Sequence, residues 1–409
     1  MITRPLIFIL LLGAAPVLAS ESPATQPASP QKQHLSRSEN PPGIVDRLEQ
    51  VIGADSWSAG MLVNANVHPD SPGRVELGYR ESGYPRVGSW TSAEAATDYP
   101  FDELIASFNV STPGLTGVTL EIRVEQDGVW SPWLYLQSWG RTLTPPDRTT
   151  KWDGGRVDVD TLLLDKPATK YQTRVHFQSF EFDPNAPRPS IRRLSVCYSG
   201  VVSDPERRAK LSQETNKPAR PSEGDWARDL PVPFRGQGAD DVPKSIRKLI
   251  CSPTSTSMVL AFYGIDRPTV ENASAIYDPC HDLFGNWGRA VARAGELGLD
   301  SYLTRFRNWD KVHEMIARGT PVIASIRFKR GQVQGFLYEF TEGHLLVIRG
   351  FKPNGDVIVN DPARKAKGNG VVYPAAEFAK AWFDQGGVGY VIERPAQNAP
   401  TTEPETLER

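Results

Sequence analysis

The chain has 409 residues, of which 39% are hydrophobic and 23% are charged, and its formal net charge is −2. This length allows two or three domains, and the composition is that of a globular protein with a sizeable core. The nearly balanced charge excludes the basic surface expected of a nucleic-acid-binding protein, and no basic run indicates a membrane-surface patch.

The N-terminus has the pattern of a secretory signal peptide. Arg4 precedes an apolar run over 6–12, and small residues at Val17 and Ala19 fit cleavage after Ala19. The apolar run is short for a membrane span. We therefore expect a signal peptide over residues 1–19 and a mature protein that is exported to the periplasm or the extracellular space and is not held in the membrane. An uncleaved signal anchor is the alternative.

Residues 20–44 are rich in Ser, Pro, Gln and Ala, which predicts a disordered spacer. Between residues 45 and 201 the pattern is β, because apolar and polar residues alternate over 120–125 and 171–178. Asp127 and Gly128 form a turn signal between the first of these segments and a return strand. We expect an all-β domain, an antiparallel sandwich resembling a jelly roll.

Six of the ten tryptophans lie in this β-rich half. They could stack on sugar rings, which would give the domain a carbohydrate or cell-surface ligand, but aromatic pairs also fill the core of a sandwich. The core interpretation is favoured because no exposed stripe can be drawn through them. The six are Trp57, Trp90, Trp130, Trp133, Trp139 and Trp152.

The stretch 202–230 is charged and interrupted by prolines, which predicts an interdomain linker, and residues 395–409 predict a disordered tail. Residues 231–394 have a different pattern, with helices first and an antiparallel sheet after them, which is an α+β order. The predicted helices are 253–263, 286–297, 309–317 and 377–383, and the predicted strands are 321–326, 344–351, 356–360 and 388–393.

Three residues of the α+β region have the chemistry of a thiol nucleophile with its base. Cys251 opens an apolar helix, where the helix dipole favours a thiolate, and Ser252 is the predicted N-cap. His344 begins one strand of a hairpin and Asp361 ends the other, so both are expected at the same edge of the sheet. A histidine there can move the proton, and an aspartate can orient the histidine. Gln237 is the candidate oxyanion donor upstream of the cysteine.

The chain has two further cysteines, Cys197 and Cys280, so it is not a disulfide scaffold. If Cys251 is the nucleophile it must stay free, and a bridge between the other two is then an open alternative. The run Asp278-Pro279-Cys280-His281-Asp282 lacks a second ligand pair at the spacing of a tetrahedral site, and no metal or cofactor is expected.

Together these blocks resemble the C39-type, papain-like cysteine peptidases over about residues 230–394. The resemblance implies that Cys251 is the nucleophile, His344 the general base and acid, Asp361 the orienting residue and Gln237 the oxyanion donor. The chain departs from the family at Ser252, where glycine is usual, and a side chain there is expected to narrow the cleft. The matching blocks are Val232-Pro233, Gln237, Cys251-Ser252-Pro253-Thr254-Ser255, Gly343-His344 and Val359-Asn360-Asp361-Pro362-Ala363.

The sequence thus predicts an exported bacterial cysteine peptidase that hydrolyses peptide or amide bonds of a peptide or protein substrate through a thioester on Cys251. Two alternatives stay open. One is a binding or adhesion protein whose peptidase-like domain is inert, which Ser252 and the displaced Gln237 motivate. The other is a thiol acyltransferase that passes the acyl group to an amine instead of water.

Overall fold

The computed structural model describes residues 43–69, 71, 73–78, 86–141, 148–183, 185–215 and 225–395. The predicted signal peptide, the spacer up to residue 42 and the tail beyond residue 395 lie outside these residues. Among the described residues, no helix is long and apolar enough to cross a membrane.

The N-terminal region consists mainly of β-strands, as predicted. Alternation of apolar and polar residues lets each strand bury one face, as it does where Leu120, Ile122 and Val124 are fully buried. One short helix, α1, spans Gly53–Ser58. The strands are β1 Ile44–Val51, β2 Met61–Val63, β3 Ala65–Val67, β4 Val75–Leu77, β5 Val87–Thr91, β6 Ala95–Ser111, β7 Thr116–Gln126, β8 Val129–Trp130, β9 Leu134–Gly140, β10 Lys151–Trp152, β11 Gly155–Asp158, β12 Thr161–Ser179 and β13 Ser190–Val201.

These 13 strands are hydrogen-bonded into one antiparallel sheet that curves almost into a barrel. The curvature comes from two long strands, β6 with 17 residues and β12 with 19. The first part of β12 pairs with β6, and after register shifts between Leu163 and Lys170 the second part pairs with β7. Such irregularities bend a strand and increase its twist, so the sheet wraps around its own core.

The tryptophans of this region divide into two groups. Trp57, Trp90 and Trp139 are buried in the core, in agreement with the favoured interpretation. The other three are partly exposed, and two of them are covered by cations: the Arg123 guanidinium lies 4.7 Å from the ring centroid of Trp130 and 4.8 Å from that of Trp133. The Arg123 guanidinium therefore occupies one face of each indole, which is a face that could otherwise stack on a sugar.

The predicted linker begins with a helix, α2, over Pro205–Thr215. Proline is well tolerated in the first turn of a helix, and the Asp204 side chain accepts a hydrogen bond from the backbone N–H of Glu206 at 2.9 Å. Leu211 is buried, and α2 lies against β1. Pro205 therefore starts a helix where the sequence pattern predicted an irregular segment.

The C-terminal region has the predicted α+β composition, with three elements that the pattern did not predict: a helix at Thr269–Ile276 and strands at Asp300–Arg305 and Val371–Tyr373. Its helices are α3 Cys251–Phe262, α4 Thr269–Ile276, α5 Trp287–Glu296, α6 Asp310–Ala317 and α7 Ala375–Trp382, with 3₁₀ segments at Pro362–Gly368 and Phe383–Gln385. Its strands are β14 Asp300–Arg305, β15 Val322–Phe328, β16 Thr341–Phe351, β17 Val357–Asn360, β18 Val371–Tyr373 and β19 Val388–Glu393.

The six strands form one antiparallel sheet in the order β14, β19, β15, β16, β17, β18. Its central strands are apolar along most of their length because helices cover them, and their side chains join those of α3, α5 and α7 in one core cluster. The helix α3 lies against β16, which places the start of α3 near the strand that carries His344.

The N-terminal region packs against the β14 edge of this sheet through β6 and β13, and against α5. Asn109 on β6 exchanges two hydrogen bonds with the Ser301 backbone, at 2.8 and 3.0 Å. Glu103 pairs with Arg305 across the same contact, and their side chains are only 3% and 1% exposed. This contact lies at the opposite edge of the sheet from β18.

Candidate active site

Cys251 lies at the start of a helix, as predicted, but α3 begins at Cys251 itself and not at the predicted Pro253, and the cysteine side chain is partly exposed. The N-cap position is held by Ile250 and not by Ser252, so that prediction is wrong. Ile250 makes no side-chain capping bond, and the backbone of Ser252 in the first turn hydrogen-bonds the Cys251 thiol. A thiolate at this position is favoured by the positive end of the helix dipole.

Ser252 does not narrow the cleft, contrary to expectation. Its side chain is fully buried, and its hydroxyl lies 3.1 Å from the Tyr390 hydroxyl on β19. One turn further along, Ser255 donates a hydrogen bond of 3.0 Å to the backbone carbonyl of Leu345. These small polar side chains allow α3 to approach the sheet closely, which fixes Cys251 beside the start of β16.

His344 and Asp361 meet because β16 and β17 form a hairpin. Its turn is closed by the Lys352 N–H, which donates to the Asp356 carbonyl at 2.8 Å, and the strands pair with Val347 opposite Asn360. Asp361 directly follows this pairing, and its Oδ1 lies 2.8 Å from Nε2 of His344. This leaves Nδ1 of His344 for the hydrogen bond that the ring makes with the Cys251 thiol.

The electrostatics of the pair favour charge separation. Burial raises the pKa of the Cys251 thiol, but the hydrogen bond and charge of His344 and backbone hydrogen bonds from Leu345 and Ser252 outweigh it, so the net pKa is lowered. Burial lowers the pKa of His344, but the charge and hydrogen bond of Asp361 and the bond to Cys251 raise it to about 10. The lowered pKa of Cys251 and the raised pKa of His344 both favour transfer of the thiol proton to the imidazole.

Asp361 is fully buried and has a partner on each oxygen. Oδ1 accepts from His344 and also from the backbone N–H of Ala363 at 3.0 Å, while Oδ2 accepts from the Tyr373 hydroxyl at 3.2 Å. Burial raises the pKa of this carboxyl, but the charge of His344 and these hydrogen bonds hold it below its usual range. The aspartate is thus ionised and fixed in orientation.

Gln237 lies beside the segment that follows Asp361. Its backbone N–H donates to the Pro362 carbonyl at 2.9 Å, directly after Asp361, and its side-chain Nε2 donates to the Arg247 carbonyl at 2.8 Å. An amide NH₂ group has two hydrogens, so the second remains for another acceptor. Asn360, which precedes Asp361, is fully buried and donates to the Val232 carbonyl at 3.0 Å, so it anchors the irregular segment that leads to Gln237.

The other two cysteines are free, so Cys197 and Cys280 are not bridged. Cys197 is buried, and Cys280 belongs to a turn organised by Asp278. The Asp278 carboxylate accepts from the Cys280 N–H at 2.9 Å and lies 2.7 Å from Nδ1 of His281. Those contacts account for the local Asp, Cys and His pattern as a hydrogen-bonded turn.

Sequence reasoning missed Tyr373 and Tyr338. Tyr373 lies on β18, and the Tyr338 ring lies edge-on against His344, with ring centroids 5.7 Å apart. Neither residue has a motif around it. The only signal was Val371-Val372-Tyr373, a β-branched and aromatic run that is short for a strand and follows a segment rich in Lys and Gly.

Residues 230–390 match the family model described as the Peptidase_C39 like family, and residues 49–199 match the one described as the peptidase C39 N-terminal domain. Together with a helix that begins at a cysteine and packs on an antiparallel sheet bearing histidine and aspartate, this defines a papain-like C39 fold. The C-terminal region of the chain belongs to the Peptidase_C39 like family.

Similar solved structures share little sequence with this chain. A double glycine motif protease from an AMS/PCAT transporter, solved in complex with the leader peptide, is 22% identical over 41% of this chain and 94% of its own, with a TM-score of 0.29. Xylellain, a cysteine protease from Xylella fastidiosa, is 10% identical over 43% of this chain and 90% of its own, with a TM-score of 0.27. No curated protein matches the chain.

Proposed function

We propose that the protein is an exported cysteine peptidase in which Cys251 attacks the carbonyl carbon of a peptide or amide bond. The observation that carries the proposal is the hydrogen-bonded chain from the Cys251 thiol through the His344 imidazole to the buried Asp361 carboxylate. A thiol with a lowered pKa, a base within hydrogen-bond reach and a third residue that orients the base are what a covalent mechanism requires.

In the first half of the reaction the Cys251 sulfur forms a bond to the substrate carbonyl carbon. The Gln237 side-chain amide stabilises the negative charge on the carbonyl oxygen. The His344 imidazolium gives its proton to the leaving nitrogen, the C–N bond breaks, and an amine leaves. A thioester remains on Cys251, and Asp361 holds the now neutral imidazole in the productive tautomer.

In the second half His344 removes a proton from water, which attacks the thioester carbon. The C–S bond breaks, the carboxylic acid leaves and the thiolate–imidazolium pair is restored. Ser252, which motivated the inert-domain alternative, points into the fold and away from the path of the substrate. Because the Ser252 side chain points inward, it supports a Cys251 sulfur that a substrate can reach.

Export and the architecture of the N-terminal region are part of the same proposal. The predicted signal over residues 1–19 would place the enzyme in the periplasm or outside the cell. The two long strands of the N-terminal sheet each pair with different neighbours in their two halves, which supports a two-layered, jelly-roll-like sandwich. A carbohydrate or cell-surface ligand for this region stays a prediction.

The test uses the full mature chain, an activity-based thiol probe and a mixture of fluorogenic peptides. Wild type is expected to be labelled at Cys251 and to release fluorophore, and Cys251→Ala is expected to lose both. Cys280→Ala is the matched control, because it removes another partly exposed thiol and should leave both signals intact. Labelling of the Cys251→Ala variant at the wild-type level would overturn the proposal, and turnover that rises with added amine would favour acyl transfer.

A further inference from the structure

The orientation of Asp361 depends on groups outside the Cys251–His344–Asp361 chain. The torsion that rotates a carboxylate about its last carbon–carbon bond is soft, so one hydrogen bond does not fix it. His344 and the Ala363 N–H both bind Oδ1. The Tyr373 hydroxyl, at 3.2 Å, binds the other oxygen and therefore opposes rotation of the whole group.

Tyr373 is itself held rigidly. Its side chain is fully buried, and β18 pairs with β17 with Tyr373 opposite Val357. The ring of Phe336 is stacked on the tyrosine ring with centroids 4.1 Å apart and planes within 10° of parallel. The tyrosine side chain has two torsions before its hydroxyl, and the pairing of β18 with β17 and the stacked Phe336 ring hold the phenol with its hydroxyl toward Asp361.

The proton stays on the phenol in this pair. Burial raises the pKa of Tyr373, and the negative charge of Asp361 raises it further, while the pKa of Asp361 is lowered. The hydroxyl is thus the donor and the carboxylate the acceptor throughout the neutral range. A donor that is always present can orient the carboxylate without taking part in proton transfer.

We propose that Tyr373 is a positioning residue of this site, whose hydroxyl locks the Asp361 carboxylate so that its other oxygen faces His344. The proposal rests on the proposed peptidase function and adds a fourth member to the hydrogen-bonded chain. Tyr373 acts through Asp361 and touches neither the thiol nor the substrate. Loss of the hydroxyl removes the hydrogen bond from Tyr373 to Oδ2, so the carboxylate and with it the imidazolium are held less firmly.

The experiment measures the rate of Cys251 alkylation by iodoacetamide against pH in the full mature chain, with the modified peptide quantified by mass spectrometry. In Tyr373→Phe the ring and its stacking remain, and only the hydroxyl is lost. We expect the pH of half-maximal alkylation to rise by about half a unit or more, because a weaker imidazolium stabilises the thiolate less. We expect kcat to fall about tenfold, as when an outer hydrogen-bond partner is lost, with KM unchanged.

Other groups also bear on this titration. Among the described residues, the charged and titratable side chains that interact with Cys251, His344 or their neighbours include Asp361, Tyr338, Tyr373, Arg364 and Tyr390. Tyr277→Phe is the matched control, since it removes a hydroxyl that donates to Asp282 at 2.8 Å, outside this group. The alkylation profile of Tyr277→Phe should coincide with that of wild type.

An alkylation profile of Tyr373→Phe that coincides with wild type would overturn the proposal. If Tyr373→Phe does not fold, Phe336→Leu provides the test of the proposal. It keeps the Tyr373 hydroxyl but removes the ring that is stacked on the tyrosine ring. A smaller upward shift supports the proposal and no shift rejects it. Alkylation needs no peptide substrate, so the result stands even if wild type cleaves nothing and the proposed peptidase function fails.

Discussion

The N-terminal and C-terminal regions both contain buried charged side chains, but they stabilise them in different ways. In the N-terminal region Glu103 and Asp46 are each paired with an arginine, Arg305 and Arg307, from the C-terminal region. In the C-terminal region, at the start of α3 and on the internal strand β16, the titratable groups are a thiol and an imidazole, with a carboxylate behind the imidazole. Guanidinium stays protonated at any pH that a protein tolerates, whereas a thiol and an imidazole exchange protons near neutrality.

The two kinds of pair therefore suit different tasks, one joining two regions of the fold and the other transferring a proton. A carboxylate–arginine pair has a fixed charge, so it can join two regions but cannot move a proton. The Cys251–His344 pair has one partly exposed member and two groups with displaced pKa values, which are features of sites that carry out reactions. The β-rich region would therefore stabilise the C-terminal region without contributing to the proposed reaction.

Among variants that test this difference, Glu103→Ala is expected to have the largest effect, a loss of stability. It leaves the buried Arg305 without its carboxylate partner, and breaking a buried pair costs about 3–5 kcal/mol of the free energy of unfolding. Urea denaturation of the full mature chain measures it. The alkylation profile of Cys251 should stay unchanged wherever the variant is folded, because the pair lies at the far edge of the sheet.

Glu125→Ala provides the matched control. Glu125 also pairs with a cation, Lys170, at 2.5 Å, but the lysine side chain is 38% exposed. Such pairs contribute about 0.2–1 kcal/mol. Equal losses of stability in the two variants would contradict the view that Glu103 and Arg305 join the regions.

Gln237→Ala tests the proposed role of Gln237 as the oxyanion donor. Removal of one oxyanion donor typically lowers kcat by about 10²–10³-fold, or about 2.7–4 kcal/mol. Alkylation of Cys251 by iodoacetamide develops no carbonyl oxyanion, so its rate should change little. A parallel fall in both rates would show that Gln237 acts by holding the loop through the Arg247 carbonyl and not as an oxyanion donor.

A smaller, pH-dependent effect is expected from Asp46→Asn. Burial raises the pKa of Asp46, but the charge and hydrogen bonds of Arg307 outweigh it, so the folded-state pKa lies below the unfolded one. Its contribution is therefore complete above about pH 5 and is lost as the pH falls through the folded-state pKa. We expect Asp46→Asn to lose about 1–3 kcal/mol at pH 7 and to show a shallower fall in stability in acid.

Denaturation curves at several pH values measure this effect. Asp127→Asn is the control, because Asp127 and its partner Lys166 are 82% and 74% exposed and 3.7 Å apart. A stability–pH curve of Asp46→Asn parallel to that of wild type would contradict the assigned role of Asp46.

Much of the site could be predicted because its parts are local in sequence. A helix that opens at Cys251, and a hairpin short enough to bring His344 back to Asp361, follow from periodicity and turn residues alone. The catalytic roles of these residues stay proposals. Tyr373 could not be predicted, since its contact with Asp361 depends on a third strand, β18, whose pairing with β17 is set by tertiary packing.

The strands and helices of the fold were also largely predictable, but the pairing of the strands was not. Alternation along β7 and β12 predicted strands, yet nothing in the alternation indicates that β12 pairs with β6 over one half and β7 over the other. Ser252 was misplaced because its residue type favours an N-cap, whereas the helix starts at Cys251, two residues before the predicted start, and buries Ser252. Local propensity was overruled there by the packing of α3 on the sheet.

The smallest effect is expected from Lys365→Gly, in the 3₁₀ segment after Asp361. Lys365 has φ 46° and ψ −144°, a conformation suited to glycine, and its Cα lies 3.7 Å from where a Cβ on Gly236 would be. Relief of this strain outweighs the extra freedom of glycine in the unfolded chain, so we expect a gain of about 1 kcal/mol. Lys367→Gly removes the same charge from an exposed residue outside the left-handed region and should be neutral or destabilising. Thermal unfolding of both variants compares them, and equal changes would show that charge, not backbone strain, is responsible.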